Sequence, residues 1–359
     1  MPIAAMKDLA KKVLPTPIFK FAKELAGKKP IVPLMPEVPS FGPHSSFGTT
    51  LTEAIPVSTV APFHNSIGDI STGQVTQNFL AAAGIPSYST SFWDTDHKTI
   101  VIGGGEIIGF PSRGAWSKLK PLFLPRGNHI LNAIGFDIGT GNETDLGVLR
   151  EYKYVSVRDN LIAEQFGKYS PNLAVVPCPA TLQYGIPLTL IKALPRFEFL
   201  RPLEENNYII VHRHPKMEPV AKRLRQLGHR LVIVDMQAHA KHPWRSSSDL
   251  IVPTGLHSPE LIQGLVNSAF AVVTVSLHLA IFSIGANKPF AAVADETAQS
   301  AKVRRYLTRA GIDAVLADKQ ADLLSLALEN RSNISSASVR EKAKTLQHLQ
   351  HVAKAARSD

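Results

Sequence analysis

Cysteine is all but missing: Cys178 is the only one in 359 residues. That excludes an intrachain disulfide and a multi-thiolate zinc site, and suits a reducing compartment. Aromatic residues make up just 7%, too few to interleave with basic side chains along a nucleic-acid groove, so no nucleic-acid partner is expected. Long apolar runs are absent too. The greasiest stretch, 262–284, is interrupted by Gln263, Asn267 and His278 and falls short of the roughly 18–20 uninterrupted residues of a membrane span. Near the start, Lys7, Asp8, Lys11 and Lys12 break up the apolar residues. The chain therefore lacks the continuous core of a secretion signal and reads as cytoplasmic.

What the sequence does have is an ordinary globular balance, 44% hydrophobic and 19% charged. At roughly 100–200 residues per domain, its length suggests two domains. The net charge of +10 biases it toward anionic partners. The excess sits at the ends, with seven lysines against two acids in the first 30 residues and six Lys or Arg against two acids in the last 30. Within 1–56, hydrophobic spacing predicts two short amphipathic helices over 3–25, split by Pro15 and Pro17. They either pack on the domain or lie against an anionic membrane. Residues 30–60, rich in Pro, Ser and Gly, read as an extended connection.

From about residue 57 short apolar segments alternate with helical stretches, the pattern of a parallel sheet. Strands are predicted at 99–102, 129–133, 154–157 and 174–176 in a domain over 57–190. A second domain over 200–329 carries strands at 208–211, 231–234, 250–252, 271–275 and 290–293. An aperiodic linker is read at 187–206. A helix near 322–328, a polar spacer at 330–338 and a basic helix at 339–357 follow, so that 330–359 forms a C-terminal extension. The fold class is α/β: two Rossmann-like domains with basic helical N- and C-terminal extensions.

Four places carry residues suited to chemistry. In Asn65-Ser66-Ile67-Gly68-Asp69, a glycine at a strand-to-helix turn lets a ligand approach, while Asp69 either meets that ligand or caps the helix. In Gly103-Gly104-Gly105-Glu106, three glycines follow an apolar strand, where ligands of open α/β sheets bind. Neither a phosphate-loop ending nor a dinucleotide fingerprint is present. Glu106 there is a candidate for sugar hydroxyls or general base work, or else a solvent-facing carboxylate. The turn His212-Arg213-His214-Pro215-Lys216 is the densest basic point of the body, a receptor for phosphate or carboxylate or else a solvated turn. No carboxylate or thiol completes a metal site at His212 and His214. Ser276-Leu277-His278 joins a buried strand to an apolar helix, placing His278 where a phosphate is bound or a proton delivered. His239, His242 and Arg245 crowd one further loop.

In order and spacing these segments resemble the polysaccharide pyruvyl transferase family over roughly residues 60–295. The turn before Asp69, the Gly103 to Gly105 loop, Tyr154-Val-Ser-Val-Arg158-Asp159, the strand leading to Ala180, Arg213 and the Leu277-His278 pair are similar to its motifs. The resemblance implies two Rossmann-like domains facing a cleft in the GT-B-like manner. It also implies transfer of the pyruvyl group of phosphoenolpyruvate onto a sugar of a polysaccharide or its lipid-linked precursor, as a ketal. In this reading His278 and Arg213 are catalytic, and Asp69, Gly103, Gly104, Gly105, Glu106, His212, His214, Lys216 and Ser276 bind substrate. No cofactor or metal is implied; phosphoenolpyruvate is the donor substrate. A lipid-linked acceptor would account for peripheral contact of the basic ends with an anionic inner membrane face.

Three departures qualify the resemblance, one of them Leu279 in place of the family's usual Gly after the histidine. Ser276 stands where the family usually has Arg, and Cys178 where it usually has Asp. Loss of a charge-assisted contact is worth about 1.5–3 kcal/mol, for which Arg213 and Lys216 are the expected compensators. Two alternatives stay open: a GT-B glycosyltransferase using a nucleotide sugar, and a noncatalytic polysaccharide-binding homologue.

Overall fold

The computed structural model describes residues 55–59, 66–90, 99–108, 128–136, 147–237, 244, 246, 248–294, 298–317 and 322–357. The helices expected within 3–25, the connection preceding residue 55, Asn65, His239, His242 and Arg245 lie outside these residues, and of Glu106 only the backbone is described.

The first sheet is built from β1 (Ile55–Thr59), β2 (Ser87–Thr90), β3 (Val101–Gly103), β4 (Glu106–Ile108), β5 (Ile130–Phe136), β6 (Tyr154–Val157) and β7 (Leu173–Val175). They pair in parallel in the order β2-β1-β3-β5-β6-β7, with β4 beside β5. The second sheet holds β8 (Ile209–His212), β9 (Leu231–Val234), β10 (Leu250–Ile251), β11 (Ala271–Thr274), β12 (Phe290–Val293) and β13 (Leu316–Ala317). These are also parallel, in the order β10-β9-β8-β11-β12-β13. The four central strands of this sheet, Ile-Ile-Val-His, Leu-Val-Ile-Val, Ala-Val-Val-Thr and Phe-Ala-Ala-Val, are buried at every residue. Continuous apolar runs of this kind are what a parallel sheet covered on both faces requires.

The helices are α1 (Ile67–Ala82), α2 (Asn160–Phe166), α3 (Leu188–Ala193), α4 (Glu218–Gln226), α5 (Pro259–Ser268), α6 (Leu277–Gly285), α7 (Ala298–Arg309), α8 (Leu323–Glu329) and α9 (Arg331–Arg357). Two of them cross between the sheets. Ile67, the first residue of α1, is buried in the core formed around β8 and β9, and its N–H bonds to Met236 O at 3.0 Å. At the other end of the chain, Val352 and Ala353 of α9 enter the core of Val57, Leu80, Val101 and Ile130.

Two expectations are corrected here. The polar stretch 330–338 is no spacer: α9 runs unbroken from Arg331. Ile334, Ala337 and Glu341 recur at helical spacing and are buried, while the serines and asparagines between them hide that stripe in the sequence. The 187–206 linker likewise contains helical turns whose Leu188, Ile191, Phe197 and Leu200 fill the core. In the basic C-terminal helix Arg340 and Arg357 donate to the carbonyls of Ala310 and Ala83. Among the described residues no helix is long and apolar enough to cross a membrane.

Candidate active site

His278 enters α6 one residue after its start. Ser276 caps that helix with its hydroxyl, accepting from Leu279 N at 3.5 Å, and Thr274 Oγ1 accepts from Ser276 N at 2.8 Å. The hydroxyl expected to touch substrate thus serves the helix end. The imidazole lies on α1, where a Cβ at Gly68 would fall 1.9 Å from His278 Cγ and 2.2 Å from its Nδ1. Only a glycine leaves room for the ring.

That packing turns Nε2 toward two charges from the first sheet's side. Arg158 Nη1 is 3.4 Å from Nε2 and Asp69 Oδ1 is 3.7 Å away. A neutral ring accepts from the guanidinium, whereas a ring protonated at Nε2 faces the carboxylate. Asp69 Oδ1 is buried and has no hydrogen-bond partner. Its backbone is pinned by the glycine loop, since Gly104 has φ +81 and a Cβ there would come within 2.9 Å of Asp69 O. The carbonyl of the next glycine, Gly105, accepts from Arg158 Nη2 at 3.4 Å.

Arg158 is the first residue past β6 and is 6% exposed. It lines a crevice with Gly135, Asp159, Leu277, Lys302 and Arg305. Asp159 caps α2, accepting from Ile162 N at 3.0 Å, and pairs with Arg305 at 3.1 Å. Three cations and one carboxylate therefore lie beside the start of α6, with Arg305 already paired to Asp159, around a space of about 10 Å³.

Cys178 is buried against α1. Its Sγ lies 3.3 Å from Thr72 Oγ1, and Tyr306 OH accepts from its N–H at 3.3 Å. Burial pushes the thiol up, but the hydrogen bond and charge of His278, with the charge of Arg158 and the Thr72 bond, bring it down to about 7.

The basic turn after β8 forms a separate group. Arg213 N donates to Val234 O at 2.7 Å, and its guanidinium charge acts on Asp235 and His257. His212 is not a cation: burial, followed by the charge of His214, pushes its imidazole down to about 3. His214 Nδ1 accepts from Lys216 N at 3.2 Å and so closes the turn Pro215–Met217. The charged neighbours described for His278 are Asp69 and Arg158. The two groups approach each other where Ser66 pairs with Gln237, just after Asp235 and just before Gly68.

Sequence reasoning missed Arg158 as a site residue, although like Arg213 it immediately follows a buried strand and so sits at a carboxyl end. Lys302 and Arg305 gave no such signal. They reach the crevice because α7 is laid across it.

A family model described as polysaccharide pyruvyl transferase matches residues 67–297, a span that contains Asp69, Arg158, Cys178, Arg213 and His278 and stops short of Lys302 and Arg305. The chain belongs to this family. No curated protein matches the sequence. Among solved structures, UDP-GlcNAc 2-epimerase from Methanocaldococcus jannaschii is 13% identical, with 84% of this chain and 99% of that one covered and a TM-score of 0.50. A putative UDP-N-acetylglucosamine 2-epimerase from Listeria monocytogenes is 10% identical over 84% of this chain and 94% of that one, at a TM-score of 0.47. At such identities the likeness concerns fold alone, and the fold is the GT-B-like pairing of two parallel α/β layers. Family membership makes the protein a polysaccharide-modifying transferase.

Proposed function

We propose that this member of the pyruvyl transferase family moves the pyruvyl group of phosphoenolpyruvate onto a saccharide as a cyclic ketal. The observation that carries the reading is His278 Nε2, held between Arg158 and Asp69 at the edge of a cationic crevice. Arg158 and Lys302, the cations beside this histidine that Asp159 does not pair with, bind the donor's phosphate and carboxylate. Protonated His278 delivers its proton to the donor's methylene carbon, leaving a cationic central carbon that an acceptor hydroxyl attacks as its own proton passes to the now neutral imidazole. A second hydroxyl of the same sugar then displaces phosphate, forming the second C–O bond as the C–O bond to the phosphate oxygen breaks, with its proton leaving on the phosphate. Arg158 and Lys302 stabilise the charge that gathers on the departing group. No cofactor is used in this scheme. An acceptor carried on a lipid suits the exposed lysines at the chain's end.

Thermal unfolding in the presence of phosphoenolpyruvate or a pool of nucleotide sugars tests the donor. Phosphoenolpyruvate is expected to raise the midpoint for the wild type and not for Arg158→Ala. With a saccharide acceptor, Arg158→Ala is expected to lose about a hundredfold or more in phosphate release. Stabilisation by nucleotide sugars alone would overturn the proposal.

A further inference from the structure

We propose that the exposed face of α9, with the groove it forms against α1, binds the anionic phospholipid of a bilayer surface. Helix α9 carries six Lys or Arg and a single acid, Glu341. That acid is fully buried and paired with Arg309, so every formal charge the helix shows to solvent is positive. Lys344 and Lys354 are exposed and have no ion-pair partner among the described residues.

Apolar surface runs beside these charges. Val339, Ala343, Leu346, Gln350, Lys354 and Arg357 follow one another at spacings of three or four residues, which sets them in one stripe along the helix. All six are exposed, Val339 to 71% and Leu346 to 45%, whereas Ile334, Ala337, Glu341, His348 and Val352 of the opposite face are buried. Single exposed apolar residues are ordinary; a stripe of them continued by a groove marks an interaction surface. The groove has a volume of about 480 Å³ and is lined by Phe79 and Ala83 of α1 and by Gln350, Ala353, Lys354 and Arg357. Arg357 is committed to the Ala83 carbonyl, and Lys354 is left for a ligand. Apolar walls beside an ammonium suit an amphiphile, whose acyl chain lies along Phe79 and the alanines while its phosphate meets Lys354. A bilayer presents chain and phosphate together, and Val339 and Leu346 then enter the headgroup region as Lys344 is drawn to the anionic surface. A nucleic acid has nothing to fill the groove.

Cosedimentation of the full chain with phosphatidylcholine vesicles, with and without phosphatidylglycerol, tests the proposal. The wild type is expected to bind the anionic vesicles only. Lys344→Gln and Lys354→Gln in one chain are expected to weaken that binding about thirtyfold, at roughly fivefold for each lysine near an anionic surface. Val339→Ser with Leu346→Ser is expected to weaken it about tenfold, and Ala83→Leu, which fills the groove and alters no charge, severalfold. Unfolding midpoints are expected to stay at the wild-type value, because the changed side chains are exposed or face the open groove. Since the first segment is also basic, Lys7→Gln, Lys11→Gln and Lys12→Gln in one chain serve as the comparison. Binding that vanishes in this chain and survives the α9 changes overturns the proposal, as does equal binding to neutral vesicles or none to either kind. Binding that Ala83→Leu and the serine pair leave unmoved is purely electrostatic and overturns it too. Capture of polyglutamate without capture of vesicles assigns the face to an acidic protein instead. The inference stands apart from the transferase reading: vesicle binding without pyruvyl transfer leaves it intact, and transfer without vesicle binding leaves that reading alone.

Discussion

A single missing methyl group decides whether His278 has a place. Adding a Cβ at residue 68 sets it 1.9 Å from His278 Cγ, so Gly68→Ala forces the ring off α1 and away from Arg158 and Asp69. A displacement of about 1 Å at a reacting group costs on the order of a hundredfold in rate, and that is the expected loss in transfer. Circular dichroism is expected to show the fold retained, since α1 tolerates alanine. Wild-type turnover in this variant would show that the ring's seat on α1 does not matter. Ser276→Arg is a different case. Its hydroxyl caps α6 and is buried, so the change removes a cap worth about 1 kcal/mol and should lower the denaturant midpoint before it alters any ligand contact.

Helix α9 shows how one element holds two sheets. Glu341 is fully buried and paired with Arg309, itself 7% exposed, whose guanidinium lies 4.6 Å over the Tyr306 ring. Farther along, His348 Nε2 is 2.7 Å from Asn132 Oδ1 in β5 and its Nδ1 is 3.2 Å from Tyr154 OH in β6. Glu341→Gln leaves Arg309 as an uncompensated buried charge and is expected to destabilise by about 3–5 kcal/mol in urea unfolding, with much of that recovered by Arg309→Met in the same chain. A loss under about 1 kcal/mol would mean that water reaches the pair. The elements differ in how plainly the sequence declares them. Leu231–Val234 and Phe290–Val293 are legible as strands because buried parallel strands are written as unbroken apolar runs. The start of α9 and the turns at 188–200 are not. Their buried residues are diluted by serine, asparagine and charged neighbours, and only the surfaces they pack on make the stripe meaningful.

At the scale of the whole molecule, the candidate site is legible in its parts and illegible in its partnerships. His278, Asp69 and the glycine loop announce themselves by their positions at strand ends and helix starts. The 120-residue separation of Arg158 and His278 and the placement of Lys302 by α7 follow from chain crossings that local pattern does not encode. Neither does burial, which turns His212 from a presumed cation into a neutral ring. The same burial fixes how stability responds to acid. Desolvation is the largest cause in each case, helped at His212 by His214, at His257 by Arg213 against an opposing bond to Val252 O, and at His348 by His351. The three imidazoles are held down at about 3, 4 and 3 respectively. Unfolded histidine titrates near 6.5, so between these values the unfolded chain binds protons that the folded chain refuses. Stability is therefore complete above about pH 6.5 and falls as the pH drops toward 4 and 3, by up to about 1.4 kcal/mol per histidine for each pH unit crossed. Urea unfolding at about pH 7.5 and about pH 5 should show a lower midpoint in acid. His212→Phe, which keeps a ring beside His214 and removes one titrating group, should flatten that dependence. Equal midpoints at the two pH values would mean that these imidazoles take up protons in the folded state as readily as in the unfolded one, and that the interior around β8 and α9 admits water.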